Sequence, residues 1–226
     1  MKTQTKPKTT ATYNTKKIVL IGMLAAIAYV VMVVGRIPVV SFLKYDPKDV
    51  IITIGGFIFG PFVSFLISFI VSLVEMFTVS ETGFIGFIMN VIATCGFSCV
   101  AAAIYKKKRT ISGAVIGLVA GSICMTILML LWNYLITPLY LGYPRDAVAA
   151  MLLPVFLPFN LLKAGINGAI TLLLYKPIVT GLRKSGLLPK SETQEGTKTQ
   201  KLSVFFVALL LLVTCVLIIL VLNKMI

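Results

Sequence analysis

Long apolar stretches separated by short polar segments dominate the chain. Uncharged apolar runs occupy residues 18–35, 50–74, 82–104, 110–144, 147–162 and 202–222. Several of these runs match the roughly 20 residues that a helix needs to cross the apolar core of a bilayer. The pattern therefore predicts an all-α integral membrane protein that crosses the membrane several times.

The run from Val50 to Val79 allows either one long tilted helix or two shorter helices that meet at Gly60 and Pro61. Lys and Arg accumulate on the cytoplasmic side of a membrane, so their distribution decides between the two topologies. Two helices place fifteen of the 21 basic residues on one side: five in the N-terminal tail, four at 106–109 and six within 176–201. We therefore predict two helices, the first of them short, and a cytoplasmic N-terminus.

The remaining boundaries follow from prolines, glycines and changes in polarity. Residues 1–16 are expected to form a disordered basic tail, because they are polar and rich in Thr and Lys. A six-helix domain is predicted at 17–180, a polar linker at 181–201 and a seventh, plain anchoring helix at 202–222. The predicted helices 1 to 6 span about 17–35, 50–59, 61–79, 83–104, 111–137 and 158–176, with helix 6 starting near Pro158 and ending before Pro177.

Composition supports the membrane assignment and excludes several functions. The chain is 58% apolar, only 12% charged and has a mean hydropathy of +1.02, outside the range of soluble domains. Its net charge of +14 is explained by topology, so we expect no nucleic-acid partner. The sequence has no histidine, no intramembrane carboxylate pair and no phosphate-binding glycine loop. We therefore expect no enzymatic activity and no ATP hydrolysis by the chain itself.

The four cysteines all lie inside apolar runs, which favours neither disulfides nor a zinc site. No metal or cofactor is therefore expected. The first apolar run follows a polar tail and lacks a small-residue cleavage site, so it is interpreted as a retained helix rather than a signal peptide.

Helix 6 carries the strongest candidate for a binding site. Asn160, Lys163 and Asn167 are spaced three and four residues apart, which places them on one helix face. Ionisable groups inside a membrane are costly and usually face a cavity or a partner. With a helix start near Pro158, Lys163 would lie about 7 Å below the outer end. The alternative is a lysine that snorkels to the interface beside asparagines that bond neighbouring helices.

Further polar positions lie on helices 3, 4 and 5. Asn90 and Thr94 form a stripe on helix 4, and Trp132, Asn133 and Tyr134 lie near the outer end of helix 5. The two aromatic residues suit either an interfacial belt or a pocket for a flat heteroaromatic solute, whereas Asn133 does not belong to a belt. Glu75 on helix 3 could pair with Lys163 or reach the interface.

Four stretches together resemble one family of membrane proteins. "FLKYDPKD" follows helix 1, "IMNVIAT" lies in helix 4, "LWNYLITPLY" in helix 5 and "PFNLLKAGINGAI" in helix 6. Over about residues 15–185 the chain resembles the riboflavin-specific S component of energy-coupling factor vitamin transporters. The resemblance implies a six-helix bundle in the bacterial cell membrane that captures riboflavin from outside beneath a lid formed by the first loop. It also implies association with a transmembrane coupling subunit and two ATPases, with flavin mononucleotide as a second candidate ligand.

The resemblance also implies roles for individual residues. Gly22 and Ala26, four residues apart on helix 1, would contact the coupling subunit. The seventh helix is not required by the family's six-helix pattern. Alternatives are an S component for another small vitamin or related compound, and a membrane scaffold without transport function. The implied ligand-binding residues are Leu43, Lys44, Tyr45, Asp46, Asn90, Thr94, Asn133, Asn160, Lys163 and Asn167.

Overall fold

A computed structural model of the chain describes residues 9–40, 43–188 and 198–222. All seven predicted helices are present in this part of the chain, which confirms the all-α membrane fold. The predicted tail residues 1–8, linker residues 189–197 and the last four residues lie outside the described part. Numbered as predicted, helices 1 to 7 span Thr9–Val34, Lys48–Phe59, Pro61–Thr78, Gly83–Lys107, Ile111–Leu135, Arg145–Lys184 and Lys198–Leu222.

Helices 1, 3, 4, 5 and 6 are each long and apolar enough to cross a membrane. Helix 2 is short, as predicted, and its residues from Lys48 to Phe57 are buried. Gly60 separates it from helix 3 with a φ of 101°, a conformation that favours glycine. Pro61 then occupies the first turn of helix 3, where its missing N–H disrupts no hydrogen bond. Helix 2 is thus a central element that contacts helices 1, 3, 4 and 6.

The first loop forms an antiparallel hairpin that was not predicted from the sequence. Strand β1 spans Ile37–Val40 and strand β2 spans Leu43–Tyr45, with Ile37 opposite Tyr45 and Val40 opposite Leu43. The hairpin packs against the bundle, and its Val39 and Tyr45 side chains are only 4% and 7% exposed. We call the two strands and the adjoining Asp46, residues 37–40 and 43–46, the lid.

Helix 6 departs most from its prediction. It begins at Arg145 instead of near Pro158 and continues past Pro177 to Lys184. A wide π-helical turn at Leu152–Phe156 accommodates Pro154, because such a turn changes the hydrogen-bond spacing where proline lacks an N–H. The predicted 7 Å depth of Lys163 is therefore wrong, since it was measured from Pro158.

Other helix ends differ less. Helix 1 begins at Thr9, so part of the predicted disordered tail is helical. Helix 4 contains a π-helical turn at Cys95–Cys99. Helix 5 ends at Leu135, and a short helix at Thr137–Leu141 leads into the next loop.

Helix 7 packs lengthwise on helix 6. Its Cys215 and Leu212 join an apolar cluster with lid residues Val39 and Tyr45. Helix 7 is therefore an integral part of the bundle in the described structure, and this packing goes beyond the plain anchor predicted for it.

Candidate ligand-binding site

A cavity of about 520 Å³ lies between the lid and helices 3 to 6. Seven of the ten ligand-binding residues implied by the resemblance line it: Leu43, Lys44, Asp46, Asn90, Asn133, Asn160 and Lys163. Its apolar lining comes from Met89, Ala93, Met125, Met129 and Phe159. The cavity thus combines polar groups with thioether and aromatic surfaces, a composition typical of small-molecule sites.

The other three implied residues, Tyr45, Thr94 and Asn167, do not line the cavity and are buried beside it. Thr94 Oγ1 donates to Asp49 Oδ1 at 2.7 Å, and Asn167 Nδ2 lies 3.3 Å from Asp49 Oδ2. Tyr45 donates its hydroxyl proton to Asn167 Oδ1 at 2.9 Å. These side chains therefore hold Asp49 in place and tie the lid to helix 6.

Lys163 is buried and paired. Its Nζ lies 3.5 Å from Asp46 Oδ2 and 3.7 Å from Asp49 Oδ2, and the residue is 9% exposed. Lys163 therefore does not snorkel to an interface. Its ammonium group connects helix 6 to the lid and to the start of helix 2.

Glu75 takes neither of its two predicted positions. Its side chain is only 2% exposed and therefore does not reach the membrane interface. The cations that it binds are Arg36 and Lys48, not Lys163. Its Oε1 accepts from Arg36, and its Oε2 accepts from Lys48 Nζ at 2.6 Å and from Asn90 Nδ2 at 2.9 Å. Glu75 thereby fixes the amide of Asn90 at the cavity wall.

These contacts join six charged residues, which we call the ionic cluster: Arg36, Asp46, Lys48, Asp49, Glu75 and Lys163. Three carboxylates balance three cations, so the formal charges of the cluster sum to zero. An isolated charge would be very costly at such burial, whereas paired and hydrogen-bonded charges are tolerated. Neutrality therefore allows a highly charged wall to exist inside an apolar bundle.

Asp46 lines the cavity and is the member of the ionic cluster whose carboxylate keeps one acceptor oxygen unpaired among the described residues. Burial alone would raise the pKa of Asp46, but the charges of Lys163 and Lys48 outweigh that effect and lower it. The carboxylate is therefore ionised. Its Oδ2 faces Lys163, whereas its Oδ1 has no hydrogen-bond partner within the described residues. A ligand that presents an N–H or O–H to this oxygen would complete the hydrogen bonding of Asp46.

Two asparagines are oriented by their own helices. Asn133 Nδ2 donates to the Met129 carbonyl at 2.7 Å, and its Oδ1 accepts from Thr137 at 2.9 Å. Asn160 Nδ2 donates to the Phe156 carbonyl at 2.8 Å, within the π-helical turn of helix 6. The amides are thus positioned before any ligand binds. Trp132 and Tyr134, which flank Asn133, do not line the cavity. Tyr134 is 42% exposed, which suits a belt position.

A separate ion pair links the lid to the turn between helices 3 and 4. Lys44 Nζ lies 2.6 Å from Glu81 Oε1, and the Glu81 side chain is 75% exposed. The hydrogen bond and charge of Lys44 lower the pKa of Glu81. This pair spans the cavity mouth, where Ser80 and Thr82 also contribute to the lining.

Gly22 and Ala26 lie on an exposed face of helix 1. A Cβ at Gly22 would meet no atom within 4 Å. The small face is therefore open to another protein in the described structure.

Five charged residues at or near the cavity were not identified as site residues from the sequence: Arg36, Lys48, Asp49, Glu75 and Glu81. The first three were assigned to a loop outside the membrane. The local signal was the density of charge in "KYDPKD" directly before an apolar helix, since charges there must be paired when the helix is buried.

Comparison with known proteins gives a consistent result. Residues 16–175 match the family described as the substrate-specific component of ECF transporters. The riboflavin transporter FmnP of Bacillus subtilis (strain 168) is 31% identical over 161 residues, which are 66% of this chain and 84% of the relative. The riboflavin transporter RibU of Staphylococcus aureus (strain TCH60) is 28% identical over 178 residues, 75% of this chain and 93% of the relative.

A solved structure is also similar, from a study titled "Structure and mechanism of the S component of a bacterial ECF transporter". It superimposes with a TM-score of 0.62 at 30% identity, over 75% of this chain and 99% of the other. The matched region contains the lid and every residue of the ionic cluster. The chain therefore belongs to the family of substrate-specific components of ECF transporters.

Proposed function

We propose that this protein captures riboflavin outside a bacterial cell and delivers it for uptake as the substrate-binding subunit of an ECF transporter. The relatives named as riboflavin transporters support this ligand. A cavity of about 520 Å³, lined by polar groups together with Met and Phe side chains, carries the proposal. Its volume lies in the range of small-molecule sites.

The chemistry of riboflavin suits this arrangement. The flat ring system carries two carbonyls and an imide N–H on one edge, and the ribityl chain carries hydroxyls. Lys163 can donate to a carbonyl or hydroxyl, and Asp46 Oδ1 can accept from the imide N–H or a hydroxyl. Met125, Met129 and Phe159 can pack on the ring faces. A compound that leaves the buried carboxylate unpaired would bind less well.

Transport needs partners in this proposal, because the chain has no phosphate-binding loop of its own. A transmembrane coupling subunit would dock on the exposed small face of helix 1 that contains Gly22 and Ala26. Two ATPase subunits would supply the energy. The subunit itself would catalyse no reaction, and its N-terminus would lie in the cytoplasm, as the basic segments indicate.

Purification in detergent, followed by absorption spectroscopy and riboflavin fluorescence titration, tests the ligand. We expect a yellow preparation, or quenching of added riboflavin with saturation at one molecule per chain. Lys163→Ala should weaken binding, whereas Lys108→Ala, an exposed lysine at the other end of helix 4, should not. A colourless protein that does not quench riboflavin would reject the assignment, and competition by another vitamin would redirect it.

A further inference from the structure

Helix 7 lies beyond the part of the chain that the family shares. The family match ends at residue 175, whereas helix 7 spans Lys198–Leu222. The similar solved S component is covered over 99% of its length by only 75% of this chain. Helix 7 is therefore an addition to the shared fold, and its contacts in this chain indicate its role.

Helix 7 contacts the lid as well as helix 6. Cys215 is 6% exposed and belongs to one apolar cluster with Val39 and Tyr45 of the lid and Phe159, Leu162 and Ile166 of helix 6. Leu43 of the lid and Leu212 of helix 7 pack against the same cluster. The lid thus has apolar contacts with helices 6 and 7 in a cluster that reaches the cavity wall at Leu43 and Phe159.

A glycine on helix 6 allows this close approach. A Cβ added at Gly165 would lie 3.2 Å from Cys215 Sγ, closer than ordinary van der Waals contact. Small residues let membrane helices pack tightly, and the dispersion attraction between the packed helices replaces the hydrophobic driving force that lipid does not provide. The position of helix 7 behind the lid therefore depends on the absence of a side chain at Gly165.

Residues 43–46 of the lid have contacts both with the cavity and with the apolar cluster. Leu43, Lys44 and Asp46 line the cavity. Tyr45 packs in the cluster with Cys215, and its hydroxyl donates to Asn167 of helix 6. A movement of the lid that opens the cavity would therefore also disturb the apolar cluster that joins the lid to helix 7.

We infer that helix 7 restrains the lid: it packs against the hairpin, holds it over the cavity and thereby slows ligand release. The nature of the ligand rests on the proposed function, whereas the restraint on the lid rests on the apolar cluster alone. Contacts that must break before a ligand leaves act mainly on the dissociation rate. Helix 7 should therefore lengthen the residence time of the ligand with little effect on the association rate.

The test compares Gly165→Leu with Gly181→Leu in the full-length chain. Leucine at position 165 displaces helix 7 from helix 6, whereas a Cβ at Gly181 of the same helix meets no atom within 4 Å. Hydrogen–deuterium exchange of peptides that cover residues 37–45 measures lid opening without any ligand. Stopped-flow fluorescence measures riboflavin release. We expect Gly165→Leu to speed both lid exchange and release, by roughly tenfold, and Gly181→Leu to match the parent.

The outcomes separate the two proposals. If the parent protein fails to bind riboflavin, the proposed ligand is refuted. The hydrogen–deuterium exchange rates of the lid then still decide the role of helix 7. The inference is overturned if monodisperse samples of Gly165→Leu, Gly181→Leu and the parent show the same rate of hydrogen–deuterium exchange in the lid. Faster riboflavin release without faster lid exchange also overturns it, since the effect would then not act through the lid.

Discussion

Replacement of Lys163 by methionine tests the charge balance of the ionic cluster. Methionine keeps much of the volume of the side chain but removes the ammonium group that lies 3.5 Å from Asp46 and 3.7 Å from Asp49. The cluster then holds three carboxylates and two cations. Breaking a buried ion pair in this way costs about 3–5 kcal/mol, because an uncompensated charge remains. We therefore expect a clearly lower thermal stability.

A second substitution separates charge balance from ligand contact. Asp46→Asn removes one carboxylate, so the double variant Lys163→Met/Asp46→Asn again holds two carboxylates and two cations. The asparagine amide can place its NH₂ group at the position of Asp46 Oδ1, which has no hydrogen-bond partner among the described residues. The double variant should therefore regain most of the stability lost in Lys163→Met. Riboflavin binding should not recover, because the two charged groups proposed to contact the ligand, Lys163 and Asp46, are both changed.

The assays are thermal unfolding in detergent, followed by tryptophan fluorescence, and riboflavin titration. Loss of one charge-assisted hydrogen bond of about 1.5–3 kcal/mol corresponds to an increase in Kd of about 10- to 150-fold. A Lys163→Met variant as stable as the parent would refute the charge-balance argument. A double variant no more stable than Lys163→Met would refute it as well, and an unchanged Kd would remove Lys163 from the ligand contacts.

Three further predictions follow from single contacts. Glu75→Gln leaves Arg36 and Lys48 facing a neutral amide, so the free energy of unfolding, measured by thermal unfolding, should fall by about 3–5 kcal/mol. A variant as stable as the parent would contradict the buried pairing. Glu81→Gln removes the exposed ion pair of the lid and should speed riboflavin release by roughly two- to fivefold at pH 7. Because the Lys44 hydrogen bond and charge lower the pKa of Glu81, the ion pair is present above the usual glutamate pKa and is lost as the pH falls through the lowered value. Release from the parent should therefore approach that of the variant only as the pH falls below the usual glutamate range. Gly117→Ala places a Cβ 2.7 Å from the Ala101 carbonyl oxygen and should destabilise the contact between helices 4 and 5 by about 1–3 kcal/mol, with Gly181→Ala as the unaffected control.

The fold was predictable from the sequence where charge and glycine constrained it strongly. The break at Gly60 and the short helix 2 were derived from the distribution of Lys and Arg, and the structure confirms them. The start of helix 6 was wrong because Pro154 and Pro158 were taken as helix breakers. The π-helical turn at Leu152–Phe156 lets the helix pass through them, and no pattern of apolar residues encodes such a turn.

The candidate site was predicted better where a polar residue stood alone in an apolar run. Asn133 and Lys163 were conspicuous for that reason, and both line the cavity. Asp49 and Lys48 were missed because they precede an apolar run and so resembled loop residues. The lid strands are only three or four residues long, too short for a period of two to stand out.

The order of the ionic cluster along the chain has a consequence for biosynthesis. Two cations and three carboxylates, from Arg36 to Glu75, are made with the first three helices, and the third cation, Lys163, arrives only with helix 6. A nascent chain that ends before helix 6 therefore carries one excess negative charge among its inserted segments. That charge needs water or a proton until Lys163 neutralises it. Insertion of helix 6 is thus the step at which the polar interior can first become dehydrated, so the bundle closes late in synthesis.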